Sequence, residues 1–444
     1  MAEPSRDIDR SIRKLALPSL ATLLAEPLLI AVDTTMVGRL GTHPLAGLSL
    51  ASTVLTTLVG ICIFLSYATT AATARFVGAG EPGKGLRQGI DGMWLGLGLG
   101  VVLGGVLAAF APTILGWFGP EPAVLDQAVM YARASAIGLP GMLLVLAANG
   151  TLRGFADTRT PLIAATAGAL VNIPLNATLI YVAQLGVAGA GLGTAIAQTL
   201  MAAYLATVVN RLAREHAVSL KPSGAGVLKS LTDAVPLIIR TLSLRGAILL
   251  QISAATSLGT LALAANQIVM TMWNFAAYGL DALATAAQIL VGQGLGSRNR
   301  ERVRLVLRRN LVYGLRVGVG LGVVAAGLAF VVPRIMTIDD DVTWLATQAM
   351  WVTAAALPIA AVAYMLDGVL IGAGDTKKLA GYMVVALVAF APVALFFIGP
   401  GAGWGTSGMI LLWVGYAVLF MAVRGGTMLW RVRQDAWMGL DGPQ

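Results

Sequence analysis

The sequence has 444 residues, of which 57% are hydrophobic and only 11% are charged, and its mean hydropathy is +0.81. Soluble domains carry about 25% charged residues, so this composition excludes a soluble globular protein. The formal net charge is +9, which alone would fit a nucleic-acid-binding protein. The single cysteine, Cys62, excludes a disulfide within the chain.

Apolar stretches long enough to cross a bilayer recur along the whole chain, separated by short polar or Gly/Pro-rich connections. A helix of about 20 apolar residues spans the hydrocarbon core and satisfies its own backbone polar groups. The sequence therefore predicts an all-α integral membrane protein with twelve transmembrane helices. These helices cover residues 15–38, 47–75, 90–111, 129–150, 161–182, 187–210, 233–257, 263–292, 310–333, 345–370, 379–398 and 405–430.

Membrane topology explains the positive charge. Of the 30 lysines and arginines, 23 lie near the two termini or in the connections after even-numbered helices, whereas only Arg39 and Arg334 lie in the odd-numbered connections. By the positive-inside rule, we expect both termini in the cytoplasm and a multi-pass protein of the cytoplasmic (inner) membrane, in contact with lipid. No nucleic-acid partner is expected.

An internal repeat relates the two halves of the chain. The segments "NGTLRGFADTR" and "DGVLIGAGDTK" begin at Asn149 and Asp367, and the separation of these two residues defines the repeat offset. The same offset relates Pro18 to Pro236. Each copy holds six helices, an even number, so both copies enter the membrane in the same sense. Parallel repeats of this kind frame a central cavity in secondary transporters and give alternating access by rocking of the halves.

The predicted fold is therefore two parallel six-helix repeats (6+6) around a central cavity. The sequence divides into an amino-terminal six-helix lobe at 1–210, a basic cytoplasmic linker at 211–230, and a carboxyl-terminal six-helix lobe at 231–444. We expect a monomer.

The first helix carries a carboxylate, Asp33, in an otherwise apolar stretch. A charge at mid-membrane costs roughly 2.5 to 3.5 kcal/mol on insertion scales, so it normally faces a cavity or a partner. The repeat offset takes Asp33 to the neutral Gln251, so the scaffold does not require this charge. A hydrogen bond between helices is the alternative role for Asp33.

Three further polar residues of the first half correspond, by the repeat offset, to apolar residues of the second half. Asn172, Asn176 and Thr194 correspond to Phe390, Ala394 and Leu412, respectively. Asn172 and Asn176 are four residues apart and share one helix face, and Pro174 between them leaves a main-chain oxygen without its helical hydrogen bond. These atoms can bind a cation, although asparagines in membrane helices also serve as hydrogen-bonding contacts between helices.

Other intramembrane acids are secondary candidates. Glu26 lies two helical turns before Asp33 and is either a second titrating group or one end of a kink region at Pro18 and Pro27. Asp281 and Asp367 are the acids of the second half, and Asp367 lies close to the cytoplasmic end of its helix, where a solvated role competes with a functional one.

No enzymatic chemistry is expected. The chain has two histidines and one cysteine, and neither H-E-x-x-H nor G-x-S-x-G occurs. No Cys/His cluster offers a metal site, and no cofactor is expected.

These features together resemble the multidrug and toxic compound extrusion (MATE) transporters, and within them the DinF-type branch. The likeness rests on six plus six helices and on the segments "VDTTMVGRLGTHPLAGLSLA", "NGTLRGFADTRTP" and "GDTKK". The resemblance implies a cation or proton site in the amino-terminal lobe, and the matching positions are Asp33, Asn149, Asn172, Asn176 and Thr194.

The site departs from the family pattern at one position, because Asn176 stands where the DinF-type branch has a second acid. The NorM-type branch instead has a carboxylate pair in the other lobe, where this chain has Gln251 and Asp367. Pro18 matches a proline that the family associates with helix bending. A lone Asp33 carries at most one negative charge, and its oxygen-rich surroundings would suit either a proton or a sodium ion, the one metal expected here.

The sequence thus predicts a secondary active multidrug efflux antiporter. It would exchange protons or sodium for small amphipathic organic compounds, cationic or aromatic in character. Two alternatives stay open. A lipid-linked-precursor flippase of the related superfamily is suggested by Arg240 and Arg245 in the seventh helix. A major-facilitator-like carrier also has six plus six helices, but its usual motif after the second helix is absent.

Overall fold

A computed structural model describes residues 2–439, with the side chains of residues 2–5 and 26 left outside the description. The described chain is helical nearly throughout. In the first half the helices are α1 (Ala2–Gly38), α2 (Thr42–Ile61), α3 (Phe64–Gly78), α4 (Pro82–Gly116), α5 (Pro122–Ala136), α6 (Leu139–Gly154), α7 (Arg159–Ala177) and α8 (Gly186–Glu215), and Thr178–Val182 extends α7 as a π-helix.

The second half has the same helical character. Its α-helices are α9 (Gly224–Ser257), α10 (Thr260–Gly296), α11 (Arg300–Leu328), α12 (Val332–Met336), α13 (Asp340–Ala373), α14 (Thr376–Ile398), α15 (Gly405–Trp413) and α16 (Met421–Val432). Short 3-10 helices lie at Ala402–Trp404 and Asp435–Met438, and the π-helical segment Val414–Phe420 joins α15 to α16.

The number of membrane spans agrees with the prediction. Within residues 2–439, 11 helical stretches are long and apolar enough to cross a membrane, and the number rises to 12 when the bent pair α5 and α6 counts as one span. That pair bends by 51° at the break between Ala136 and Leu139. The sequence predicts this fourth span as one stretch, residues 129–150, without a break.

The repeat is visible in the backbone. Gly41 and Gly259, which are equivalent in the repeat, precede α2 and α10 with φ of 127° and 109°. An L residue rarely adopts such a conformation, so both copies need glycine at the same turn.

Close helix packing repeats with the same offset. A Cβ atom on Gly104 would lie 2.7 Å from the backbone oxygen of Ala136, and one on Gly322 would lie 2.6 Å from that of Ala354. Glycine is therefore required at both positions because the neighbouring backbone leaves no space for a side chain. The duplicated halves share their packing as well as their sequence pattern.

The described chain divides into two compact units, one of which is discontinuous in sequence. One unit comprises residues 17–235, and the other comprises residues 2–16 together with 236–439. In the second unit, Arg309 Nε donates to Asp9 Oδ1 at 2.7 Å, which ties the start of α1 to α11. The sequence places residues 1–16 in the amino-terminal lobe, whereas by packing they belong with the carboxyl-terminal helices.

The connection between α8 and α9 is short and is bound to its own unit. Only residues 216–223 separate the two helices. The indole Nε1 of Trp94 on α4 donates to the carbonyl of Leu220 at 2.8 Å, and the backbone N–H of Ser223 donates to Asp91 Oδ1 at 3.0 Å. Asp91 is buried, so it accepts this bond away from solvent.

Candidate functional site

Asp33 lies in α1 with only 7% of its surface exposed, and two other helices of the 17–235 unit donate hydrogen bonds to it. Asn176 Nδ2, from α7, donates to Asp33 Oδ1 at 2.7 Å. Thr194 Oγ1, from α8, donates to Asp33 Oδ2 at 3.3 Å. Each carboxylate oxygen of Asp33 therefore accepts a hydrogen bond from a different helix.

Helix geometry explains why the two asparagines of α7 act together. Asn172 and Asn176 are one turn apart on the same face, and Asn176 Nδ2 also donates to Asn172 Oδ1 at 3.3 Å. Both residues are buried, with 3% and 0% of their surfaces exposed. The sequence predicted this shared face, and the structure places Asp33 against it.

Gly193 on α8 makes room for the Asn176 amide. A Cβ atom at this position would overlap Asn176 Oδ1 and would lie 2.9 Å from Asn176 Cγ. Glycine thus lets α8 approach α7 closely enough for the next residue, Thr194, to reach the same carboxylate. This requirement comes from packing, since Gly193 lies in the interior of a regular helix.

Two carbonyl oxygens of the predicted set are buried without a hydrogen-bond partner in the described part of the chain. These are Asn176 Oδ1 and Asn149 Oδ1. Buried polar atoms are normally paired, so an unpaired acceptor needs a reason, and an oxygen that binds a cation supplies one. Asn149 is 9% exposed on α6, and its Oδ1 is not joined to the hydrogen-bonded group around Asp33.

One polar residue near Asp33 was not predicted from the sequence. Tyr131 on α5 is 4% exposed, its side chain lies near those of Ser52 and Thr194, and it is close enough to Asp33 to interact electrostatically. The repeat contained the signal, because the residue equivalent to Tyr131 in the second half is Ala349. The comparison that singled out Asp33 would also have found this tyrosine.

The predicted helix-bending prolines lie inside α1, which the structure shows as one α-helix from Ala2 to Gly38. Thr22 Oγ1 donates to the carbonyl of Pro18 at 2.9 Å. The bending role of Pro18 and Pro27 stays a prediction. The side chain of Glu26 lies outside the described residues, so its predicted role stays open too.

The secondary candidates of the other unit do not form a second copy of the site. Gln251 is fully buried and exchanges two hydrogen bonds with Asn266 on α10, at 2.6 and 3.3 Å. Asp367 is 2% exposed and pairs with two arginines, so the solvated role that the sequence suggested for it is wrong. The error arose because proximity to a helix end does not reveal side-chain burial. Asp281 is half-buried on α10.

Comparison with known protein families identifies the chain. The family model MatE matches residues 18–178 and again 236–396, and the start of the second match is related to the start of the first by the repeat offset. This match confirms the predicted family resemblance, fold class and internal repeat.

Individual relatives agree with this assignment. The chain is 31% identical over 345 residues to Protein DETOXIFICATION 43 of Arabidopsis thaliana, a match covering 77% of this chain and 63% of that relative. It is 29% identical to DNA damage-inducible protein F of Escherichia coli, over 95% of this chain and 92% of that protein. Among solved structures, the Vibrio cholerae MATE transporter VcmN in the bent form superposes with a TM-score of 0.87 at 20% identity, covering 99% of both chains.

The matched family model, the two repeats and the helical membrane architecture lead to one assignment. The chain belongs to the MatE family of multidrug and toxic compound extrusion transporters, and its relatives include the DinF protein.

Proposed function

We propose that this chain is a secondary active antiporter that exports small amphipathic organic compounds in exchange for protons or sodium ions, by alternating access. The coupling ion binds at Asp33. The observation that carries the proposal is the buried carboxylate with hydrogen-bond donors on both oxygens and an unpaired amide oxygen beside it.

The Asn176 amide can switch between two orientations, one for the empty and one for the ion-loaded state of Asp33. In the present arrangement both groups on Asp33 are donors, which stabilise an ionised carboxylate. A proton on Asp33 needs an acceptor, and a sodium ion needs oxygen ligands, so either ion is better served when the amide turns its Oδ1 toward Asp33. Loading the ion therefore exchanges one set of hydrogen bonds between α1 and α7 for another, and Thr194 can rotate its hydroxyl to match.

The driving force sets what such an exchange can achieve. One proton entering down a potential of about 100 mV gains about 2.3 kcal/mol, and a tenfold proton gradient adds about 1.4 kcal/mol. Together these support a concentration ratio of roughly several hundred for a neutral substrate. Exchange of one proton for one monovalent cation moves no net charge, so only the chemical gradient then drives it.

The family and the charge distribution support a location in the cytoplasmic membrane. We expect the chain to act as a monomer in the cytoplasmic membrane, with lipid around it and both termini in the cytoplasm. The substrate was expected from the sequence to be cationic or aromatic.

The test uses the purified full chain in proteoliposomes loaded with a fluorescent organic cation, with proton and sodium gradients imposed separately. Asp33→Asn removes the charge and preserves the shape, and we expect it to abolish gradient-driven efflux while the protein remains folded. Asp233→Asn, which changes an exposed acid of the same unit, is the matched control and should transport like the unmodified chain. Full efflux by Asp33→Asn would remove Asp33 from the coupling mechanism.

A further inference from the structure

The unit containing residues 236–439 holds a buried group of charges that the coupling site does not use. Asp367 on α13 accepts from Arg240 of α9 through both oxygens, with Nε at 3.3 Å from Oδ1. Arg424 of α16 brings its Nη2 to 3.2 Å from Asp367 Oδ2. All three side chains are nearly inaccessible, with 4%, 2% and 1% of the surfaces of Arg240, Asp367 and Arg424 exposed.

Arg424 is only partly satisfied by these contacts. Its Nε has no hydrogen-bond partner among the described residues, and its Nη1 reaches only the sulfur of Met421, at 3.8 Å. Its guanidinium lies 4.8 Å from the centroid of the Tyr364 ring. A guanidinium has five N–H donors, so a buried one that shares a single carboxylate oxygen keeps donors available for another acceptor.

The charged residues around Arg424 carry a net positive formal charge. Tyr364 interacts electrostatically with Arg240, Arg424, Asp281 and Asp367, and the neighbouring Tyr416 interacts with Arg424 and Arg245. The three arginines and two aspartates near these tyrosines carry a formal excess of one positive charge. Burying an uncompensated charge is costly, and an anion bound there would offset that cost.

The duplicated scaffold does not require these arginines. The repeat equivalents of Arg240, Arg245 and Arg424 in the first half are Thr22, Pro27 and Ala206. Comparing equivalent residues of the two repeats thus shows a negative charge, Asp33, that only the first repeat has, and a group of positive charges that only the second repeat has.

Partly exposed residues and aromatic rings adjoin the cluster. Tyr364, Asp281 and Arg245 are partly exposed, whereas Arg424, Tyr416 and Phe420 are buried. The Tyr416 ring stacks on Phe420 at 5.6 Å between centroids with an interplanar angle of 7°. An acidic group held by arginine next to aromatic rings is the arrangement expected for an amphipathic organic anion.

We propose that the carboxyl-terminal unit binds the acidic group of an amphipathic organic anion, a carboxylate or sulfonate, at Arg424. The proposal deepens the proposed function, on which it rests, by giving the substrate class an acidic group. Asp367 is then an internal competitor of the substrate for the arginines. It is not a ligand for the coupling cation.

The test compares two probes that share an aromatic body and differ in charge, pyrenebutanoate and trimethyl(pyrenylmethyl)ammonium. Binding to the purified full chain in detergent is followed by probe fluorescence anisotropy without any ion gradient. We expect the anion to bind about tenfold or more tightly than the cation. Arg424→Met should weaken anion binding about tenfold or more, as expected for loss of a charged hydrogen-bond donor.

Asp367→Asn should change anion affinity in the opposite direction to Arg424→Met. It therefore keeps the inference testable even if the Arg424 variant misfolds. It removes the competing charge and should strengthen anion binding, whereas at a cation site it would weaken binding of the cationic probe. Arg304→Met removes an arginine of the same unit whose partner, Asp435, lies outside the cluster, and it should bind both probes like the unmodified chain.

Equal affinity for the two probes, or weaker anion binding by a folded Asp367→Asn variant, would overturn the inference. Because binding is measured without a gradient, a chain that drives cation efflux but shows no preference for the anion refutes this inference alone. A chain that binds the anion as expected, but exports nothing in exchange for protons or sodium, refutes the proposed function alone.

Discussion

Replacing Gly193 by alanine separates helix stability from the geometry of the ion site. At an exposed position inside a helix, replacing glycine by alanine stabilises the folded protein by about 0.5–1 kcal/mol, because alanine loses less backbone conformational entropy on folding than glycine does. Here the new Cβ overlaps Asn176 Oδ1, so the amide must move away from its 2.7 Å bond to Asp33. A hydrogen bond to a charged group contributes about 1.5–3 kcal/mol, so displacement of the amide outweighs the gain.

The expected result is a loss of coupling larger than the loss of stability. Net destabilisation should be about 1–2 kcal/mol, while the affinity for the coupling ion falls about tenfold to a hundredfold, since about 1.4 kcal/mol corresponds to a factor of ten. The assays are thermal unfolding in detergent and ion-dependent efflux in proteoliposomes over a series of proton and sodium concentrations.

Gly105→Ala is the matched control for this change. Gly105 lies in α4 of the same unit, and a Cβ there would meet nothing within 4 Å. This variant should transport normally and be equally or more stable. If Gly193→Ala kept the unmodified chain's ion dependence, the position of the Asn176 amide would not matter for coupling, and the proposed switch would be refuted.

Three further predictions concern the surroundings of the site. Tyr131→Phe removes a hydroxyl that lies near Thr194 and Asp33, and it should weaken coupling-ion affinity severalfold with little change in unfolding temperature; unchanged ion dependence would make Tyr131 a packing residue only. Asp91→Ala leaves the Ser223 N–H without its buried acceptor and should cost about 1–3 kcal/mol of stability, measured by thermal unfolding, with faster proteolysis of the α8–α9 connection. Gln251→Leu should destabilise the protein by a similar amount because Asn266 loses its partner. Leucine at both 251 and 266 should restore most of the stability and leave efflux intact; lost efflux in this double variant would give the pair a transport role.

The sequence was sufficient for the membrane fold and for the grouping of Asp33, Asn172, Asn176 and Thr194 in the candidate site, because both depend on regular spacings. Apolar stretches of bilayer length predict the spans, and the constant offset between matching segments predicts the repeat. The four-residue spacing of Asn172 and Asn176 predicts a shared helix face, which the structure places beside Asp33.

Contacts between distant helices could not be predicted in the same way. The pairing of Arg240 with Asp367 joins residues 127 apart on α9 and α13, and no local pattern specifies which charged side chains meet. Gly193 looked like any other helical glycine until the position of α7 was known. The break in the fourth span was not predicted, although Gly138 and Pro140 lie beside it.

The two places where the chain passes between its units have a consequence for its origin. The passages fall inside α1, next to Pro18, and inside α9, at Pro236, and these prolines are equivalent in the repeat. Each repeat therefore contributes the start of its first helix to the unit formed by the other repeat, which is a reciprocal exchange of helix ends. A protein with one such repeat would complete this exchange only with a second copy of itself, so the arrangement is that of a domain-swapped dimer fused into one chain.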